Sequence, residues 1–107
     1  MRRARDFVLI ALALQPALIA FAAAPIVVTQ VNRAFSQREV NIRRGDVVRF
    51  SNADEFLHHI YIESPSFNFT SNEQEPGTNL DVQFPVAGRF DVRCEIHPRM
   101  RLSVSVE

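Results

Sequence analysis

Cys94, His97 and Met100 put a thiolate, an imidazole and a thioether within the short run Cys-Glu-Ile-His-Pro-Arg-Met. Soft sulfur and nitrogen donors at this spacing suit a transition metal, copper above all. A cysteine, two histidines and a weak axial methionine are the ligand set of a blue-copper electron-transfer centre. Zinc is disfavoured, because structural zinc sites use cysteine, histidine and carboxylates and not a thioether. The chain holds three histidines and one cysteine, so the second imidazole must come from His58 or His59. A single cysteine cannot close an internal disulfide. Each residue alone has a plainer explanation: a buried cysteine, a surface histidine, a core methionine. The triplet is what points to a metal.

The elements that would position these donors read as β-strands, because apolar residues alternate in short runs broken by turn residues. Ile26 to Val31 is a first strand; Val40 and Ile42 precede the turn signal Arg44-Gly45-Asp46; Val48 and Phe50 share a face until Asn52-Ala53-Asp54. Ile60 and Ile62 alternate with Tyr61 and Glu63, and Leu80, Val82 and Phe84 form another run. Phe90, Val92 and Cys94 share one face, and Leu102, Val104 and Val106 another. Residues 64–78 read as a long polar loop with one short strand near Phe67 to Phe69, and its acidic residues as a solvated surface. No helical period or internal repeat is present. Seven to eight strands in this length indicate an all-β fold, a two-sheet antiparallel sandwich.

Strand parity ties this fold to the chemistry. Successive side chains point to opposite faces, so Cys94 ends the inward face that Phe90 and Val92 begin. On the upstream strand the residue two before Ile60 is His58, which therefore points inward; His59 shares its face with Tyr61 and Glu63 and points outward. His58 is the expected partner of Cys94. Pro98 fixes its own φ and biases His97 toward extended backbone, which stiffens the loop.

The beginning of the chain differs from the rest. Arg2, Arg3 and Arg5 precede an apolar stretch from Phe7 to Leu14, Gln15-Pro16 interrupts it, and Ala17 to Ala24 is small and apolar. This is the pattern of a secretory signal peptide over residues 1–24, with Ala22-Ala23-Ala24 fitting the cleavage site. Pro16 and the alanine-rich end argue against an uncleaved anchor. Residues 25–107 are then one exported, periplasmic domain, delivered by a Sec-type route, with no stable membrane insertion after cleavage. Its basic residues are all arginine and are interleaved with acids, which excludes a nucleic-acid-binding stripe. A core this small gains stability from a bound metal.

Two blocks carry a resemblance: Asn52-Ala-Asp-Glu-Phe-Leu-His58-His59-Ile60 and Gly88-Arg-Phe-Asp-Val-Arg-Cys94-Glu-Ile-His97-Pro-Arg-Met100. In this order, across about Ser36 to Val106, they resemble the cupredoxin family, particularly its plastocyanin and amicyanin branch; the Cys-x2-His-x2-Met spacing is similar to that of amicyanin. The resemblance implies a Greek-key sandwich with one type 1 copper ion held by His58, Cys94, His97 and Met100. It implies single-electron transfer between redox protein partners by a monomer that is not an enzyme, with His97 as the exposed port. By analogy alone it points to a quinoprotein dehydrogenase as donor and a cytochrome c as acceptor. Arg99 and Arg101, beside the port, are expected to steer an acidic partner. The family often has asparagine after its first ligand histidine, tying that strand to the ligand loop; here His59 stands there, an imidazole that could serve as the tether, and the sequence leaves its role open.

Three other classes compete, one of them a metal-free binding sandwich, which would leave the ligand triplet a coincidence. A periplasmic copper carrier or buffer would use the same four ligands, but the methionine- or histidine-rich tracts that favour it are absent. A multicopper oxidase or nitrite reductase needs further ligands, and a dinuclear copper centre a second cysteine, which this sequence lacks.

Overall fold

The computed structural model describes residues 23–107. The leader expected over residues 1–24 therefore falls almost wholly outside the described residues. Nine strands follow in order: β1 (Ile26–Val31), β2 (Ala34–Phe35), β3 (Glu39–Ile42), β4 (Val47–Asn52), β5 (Ile60–Ile62), β6 (Phe69–Thr70), β7 (Asn79–Gln83), β8 (Gly88–Cys94) and β9 (Arg101–Val106). The expected count of seven to eight is exceeded by short pairings. β2 and β6 are two residues each, too short to show alternation.

The strands form two sheets, ordered β2-β1-β4-β7 and β3-β9-β8-β5-β6. Sequence neighbours repeatedly lie on opposite sheets, the winding of an all-β sandwich. The sheets are mixed and not purely antiparallel: β1 runs parallel to β4, and β3 parallel to β9. Side-chain alternation encodes which face a residue takes, not which strand it pairs with, so the sequence pattern could not distinguish the two.

Alternation itself holds. Along β4, Val48, Phe50 and Asn52 are buried and their neighbours are not; along β8, Phe90, Val92 and Cys94 are the buried set. Of these, Val48, Phe50, Phe90 and Val92 join Val28, Ile60, Ile62, Leu102 and Val104 in one core between the sheets. Phe67, Phe84 and Phe90 meet in tilted and edge-on contacts with ring centroids 5.4–6.0 Å apart. Gly88 opens β8 with φ 147°, where a Cβ would stand 3.1 Å from the Phe90 ring. Another residue there would strain the backbone and press on that ring. β8 thus starts on a fixed aromatic floor and ends at Cys94.

Candidate metal centre

Cys94 is the last residue of β8 and is buried. Across the ladder its Cα partner is Ile60 of β5. His58, two residues before Ile60, is fully buried, as parity requires. His97 sits in the loop between β8 and β9 and is half-buried. The three donors converge. His58 Nδ1 lies 3.7 Å from Cys94 Sγ, His97 Nδ1 lies 3.9 Å from Cys94 Sγ, and the two Nδ1 atoms are 3.2 Å apart. They are the three-residue group of potential metal donors found among the described residues.

These separations test whether one ion fits. With bonds of about 2.0 Å to nitrogen and 2.3 Å to sulfur, one ion can touch all three donors. One thiolate and two imidazoles are a donor set that suits copper, and the buried methionine of the same loop is no ligand for structural zinc. Met100, 1% exposed, closes the same loop: its N–H donates to the His97 carbonyl at 3.0 Å. The loop's two ends are thereby fixed, one by β8 and the other by β9.

His58 is presented in a defined tautomer. Its Nε2 lies 3.1 Å from Asp54 Oδ2, and that same oxygen accepts the backbone N–H of Arg33 at 2.8 Å. Asp54 Oδ1 accepts the N–H of Glu55 at 2.9 Å. Burial opposes ionisation of Asp54, but these donors prevail and hold its pKa below the ordinary carboxylate value. An ionised Asp54 makes Nε2 the protonated nitrogen, which leaves the Nδ1 lone pair aimed at Cys94 and His97. Burial lowers the His58 pKa against the opposing pull of Asp54, so the ring stays neutral, as a ligand must.

A polar network that sequence reasoning missed stands behind His58. Gln74 pairs with His58 as an isolated antiparallel bridge, its N–H on the His58 carbonyl at 2.7 Å and its carbonyl accepting the His58 N–H at 3.2 Å. The Gln74 amide donates to the carbonyls of Phe50 and Thr78, each at 2.9 Å, and accepts from the Gln30 amide at 2.8 Å. Asn52 Nδ2 donates to the carbonyls of Phe56 and Gln74, and Asn52 Oδ1 accepts from the N–H of Asp54. Gln74 belongs to the loop read as solvated surface, yet it is 7% exposed. One signal was available: Gln30 shares strand parity with Val28, and a polar residue on an inward face asks for a partner.

The structure gives His59 the role that the sequence left open. Its ring nitrogen Nε2 lies 2.9 Å from Thr70 Oγ1 of β6, so the imidazole tethers β5 to the sheet edge, not to the ligand loop. The loop is held by the His59 backbone instead. Its N–H donates to Cys94 Sγ at 3.3 Å, and its carbonyl accepts the N–H of Glu95 at 2.9 Å. Main-chain groups do what the side chain could have done, and they need no particular residue type.

One side of the half-buried His97 ring is apolar: Ile96 precedes it and the Phe56 ring meets it edge-on at 6.0 Å between centroids. Leu57, the residue before His58, is exposed as well.

No protein-family model matches the sequence, and no curated protein matches it. Among solved structures the chain is similar to an oxidised proline-to-alanine mutant of amicyanin, with 24% identity, TM-score 0.71, and 78% of this chain and 82% of that chain covered. A reduced tryptophan-to-tyrosine mutant of amicyanin matches at 24% identity and TM-score 0.72, over 85% of this chain and 88% of that one. A copper-containing nitrite reductase from Thermus scotoductus SA-01 matches at 23% identity and TM-score 0.73, covering 88% of this chain but 25% of the reductase. What these proteins share with the chain is the cupredoxin-like fold.

Proposed function

We propose that a chain with this fold and this donor triangle is an exported mononuclear type 1 copper protein that carries single electrons between redox proteins. The observation that carries the reading is the convergence of His58 Nδ1, His97 Nδ1 and Cys94 Sγ within 3.9 Å of one another. When bound, copper supplies a one-electron couple between Cu(I) and Cu(II). His58, Cys94 and His97 would hold the ion, with the buried Met100 as the fourth ligand. Asp54 and the Gln74 bridge keep His58 in place, and the His59 N–H holds the sulfur, so little has to move when the charge of the site changes. Water is excluded on the His58 side by burial. On the other side His97 reaches the apolar surface of Phe56 and Ile96, where a partner docks.

A carrier needs no substrate cleft beside its metal, and we read the chain as a carrier and not an enzyme. The nitrite reductase similarity concerns one quarter of that protein. The leader over residues 1–24 is removed on export to the periplasm, leaving a monomer of residues 25–107. Among the described residues no helix is long and apolar enough to cross a membrane. Arg99 lines the cleft at the port and Arg101 follows the ligand loop at the start of β9; we read their charge as drawing an acidic partner.

The test is an anaerobic Cu(II) titration of residues 25–107 followed by visible absorption and EPR. An intense blue band with a small copper hyperfine splitting, lost in Cys94→Ser, is the expected result. Tight Cu(I) binding with no blue Cu(II) form would overturn the electron-carrier reading and favour copper handling.

A further inference from the structure

The turn between β1 and β2 holds the conformational outlier nearest the candidate centre. Val31 pairs with Ala34, leaving Asn32 and Arg33 as a two-residue loop. Both have left-handed backbone, with φ 53° and 54°, as a primed hairpin turn demands. The second position favours glycine, and an arginine there stores strain. The strain is held in place from below, because the Arg33 N–H is fixed by the buried Asp54 carboxylate that also positions His58. The guanidinium is left free to lie over Phe56, 3.8 Å from the ring centroid. Phe56 in turn meets the His97 ring. An arginine flattened on an aromatic keeps its outer N–H groups for another acceptor while paying little further entropy to be ordered.

Opposite this turn stands the ligand loop. Asn32, Arg33, Ile96, His97, Pro98 and Arg99 line one open cleft. Two exposed arginines thus border the half-buried imidazole, and neither forms an ion pair among the described residues. The one nearby carboxylate with a bond to this turn, Asp54, is already committed to backbone N–H groups and to His58.

We infer that this cleft is a clamp for a carboxylate on an acidic redox protein, with Arg33 on one wall and Arg99 on the other. The inference rests on the electron-carrier reading and adds Arg33 to its docking face. A carboxylate seated between the two guanidinium groups sets the partner directly over His97. Selection comes from charge and from a strained arginine that is already in position before the encounter. Charges at the rim of such a contact act mainly on the association rate and its salt dependence.

The experiment uses copper-loaded protein and two unrelated redox proteins as probes. The first is reduced [2Fe–2S] ferredoxin, which is acidic and loses one electron as Cu(II) becomes Cu(I). The second is reduced mitochondrial cytochrome c, which is basic. Arg33→Gln keeps the backbone N–H that Asp54 binds, so the centre itself is preserved. At low ionic strength Arg33→Gln should slow the ferredoxin reaction roughly threefold, and the double variant with Arg99→Gln by about tenfold, both differences fading with added salt. The cytochrome c reaction should not slow. An unchanged ferredoxin rate, or an equal loss with both proteins, would overturn the clamp.

A copper-free readout separates this from failure of the carrier reading. Hexacyanochromate(III), a redox-inert paramagnetic anion, should broaden the backbone amide resonances of Asn32, Arg33 and Arg99 in 15N-labelled protein, and Arg33→Gln should abolish the effect. Broadening centred instead on Arg93 and Arg101, which face each other across β8 and β9, would overturn the assignment to this cleft. Broadening in the cleft with no charge-dependent ferredoxin rate would reduce it to a site for small anions and likewise overturn the proposal.

Discussion

The two histidines of the candidate centre are held by opposite means. His58 is fully buried, hydrogen-bonded through Nε2 to an ionised Asp54, and bridged on both sides of its backbone to Gln74. His97 is half-buried, stands in a short turn closed by Met100, and meets an exposed phenylalanine. One region is wired into the interior by polar groups that cannot be left unpaired; the other is shaped by a loop and faces outward. The difference teaches how a small sandwich divides labour. A buried polar network fixes the metal's geometry, and the exposed edge is left for contact with other molecules.

Removing each imidazole in turn should separate the two regions most strongly. His58→Gly and His97→Gly should each abolish the blue Cu(II) band. Added imidazole should restore it in His97→Gly, whose place opens to solvent, and not in His58→Gly, whose place is enclosed. Equal rescue by absorption titration would sink the distinction between an inner and an outer ligand.

The next largest effect belongs to the support of the inner region. Asp54→Ala strands the N–H groups of Arg33 and Glu55 and the Nε2 of His58, at a cost of about 2–3 kcal/mol to folding. Phe56→Ala, on the outer side, should cost less than about 1 kcal/mol, because that ring is already partly exposed. Chemical denaturation of the metal-free forms measures both. Similar losses would mean that the two regions are not built differently.

A pH dependence sharpens the same point. In the metal-free protein Asp54 and His58 both have pKa values lowered by folding. The unfolded chain therefore binds protons more readily, and stability is full above the ordinary histidine pKa of about 6.5. It should decline as the pH falls below that value, first through His58 and then, below the ordinary carboxylate range, through Asp54. Denaturation midpoints at pH 7.5 and 5 read the first step. In His58→Gln the difference between those midpoints should shrink; an undiminished difference would assign the loss to other groups.

Much of the outer region was legible in the sequence, and much of the inner one was not. Cys94, His97 and Met100 announce themselves by type and spacing, and period-2 parity separated His58 from His59. The buried positions of β4, β8 and β9 followed from the same alternation. The network around His58 was hidden because its members come from β1, the end of β4 and a loop far along the chain. A glutamine in a stretch of Ser, Asn, Glu and Pro looks solvated until the fold brings Phe50 and Gln30 to it. Strand partners were hidden for a related reason: pleat parity names a face and is silent about neighbours, so the parallel pairs β1–β4 and β3–β9 were out of reach. The strained backbone of Arg33 left no mark either, since arginine is an ordinary residue in most turns.

The place of β9 also bears on how the grip on a metal would be lost. It lies inside its sheet, between β3 and β8, and begins at the residue after Met100. Its ladder to β8 runs from Gly88 opposite Val106 to Arg93 opposite Arg101, one residue short of Cys94. Pulling β9 out of its sheet would part β3 from β8 and release the second anchor of the ligand loop in one event. Mechanical failure of the sheet and loss of the donor triangle are therefore the same rupture.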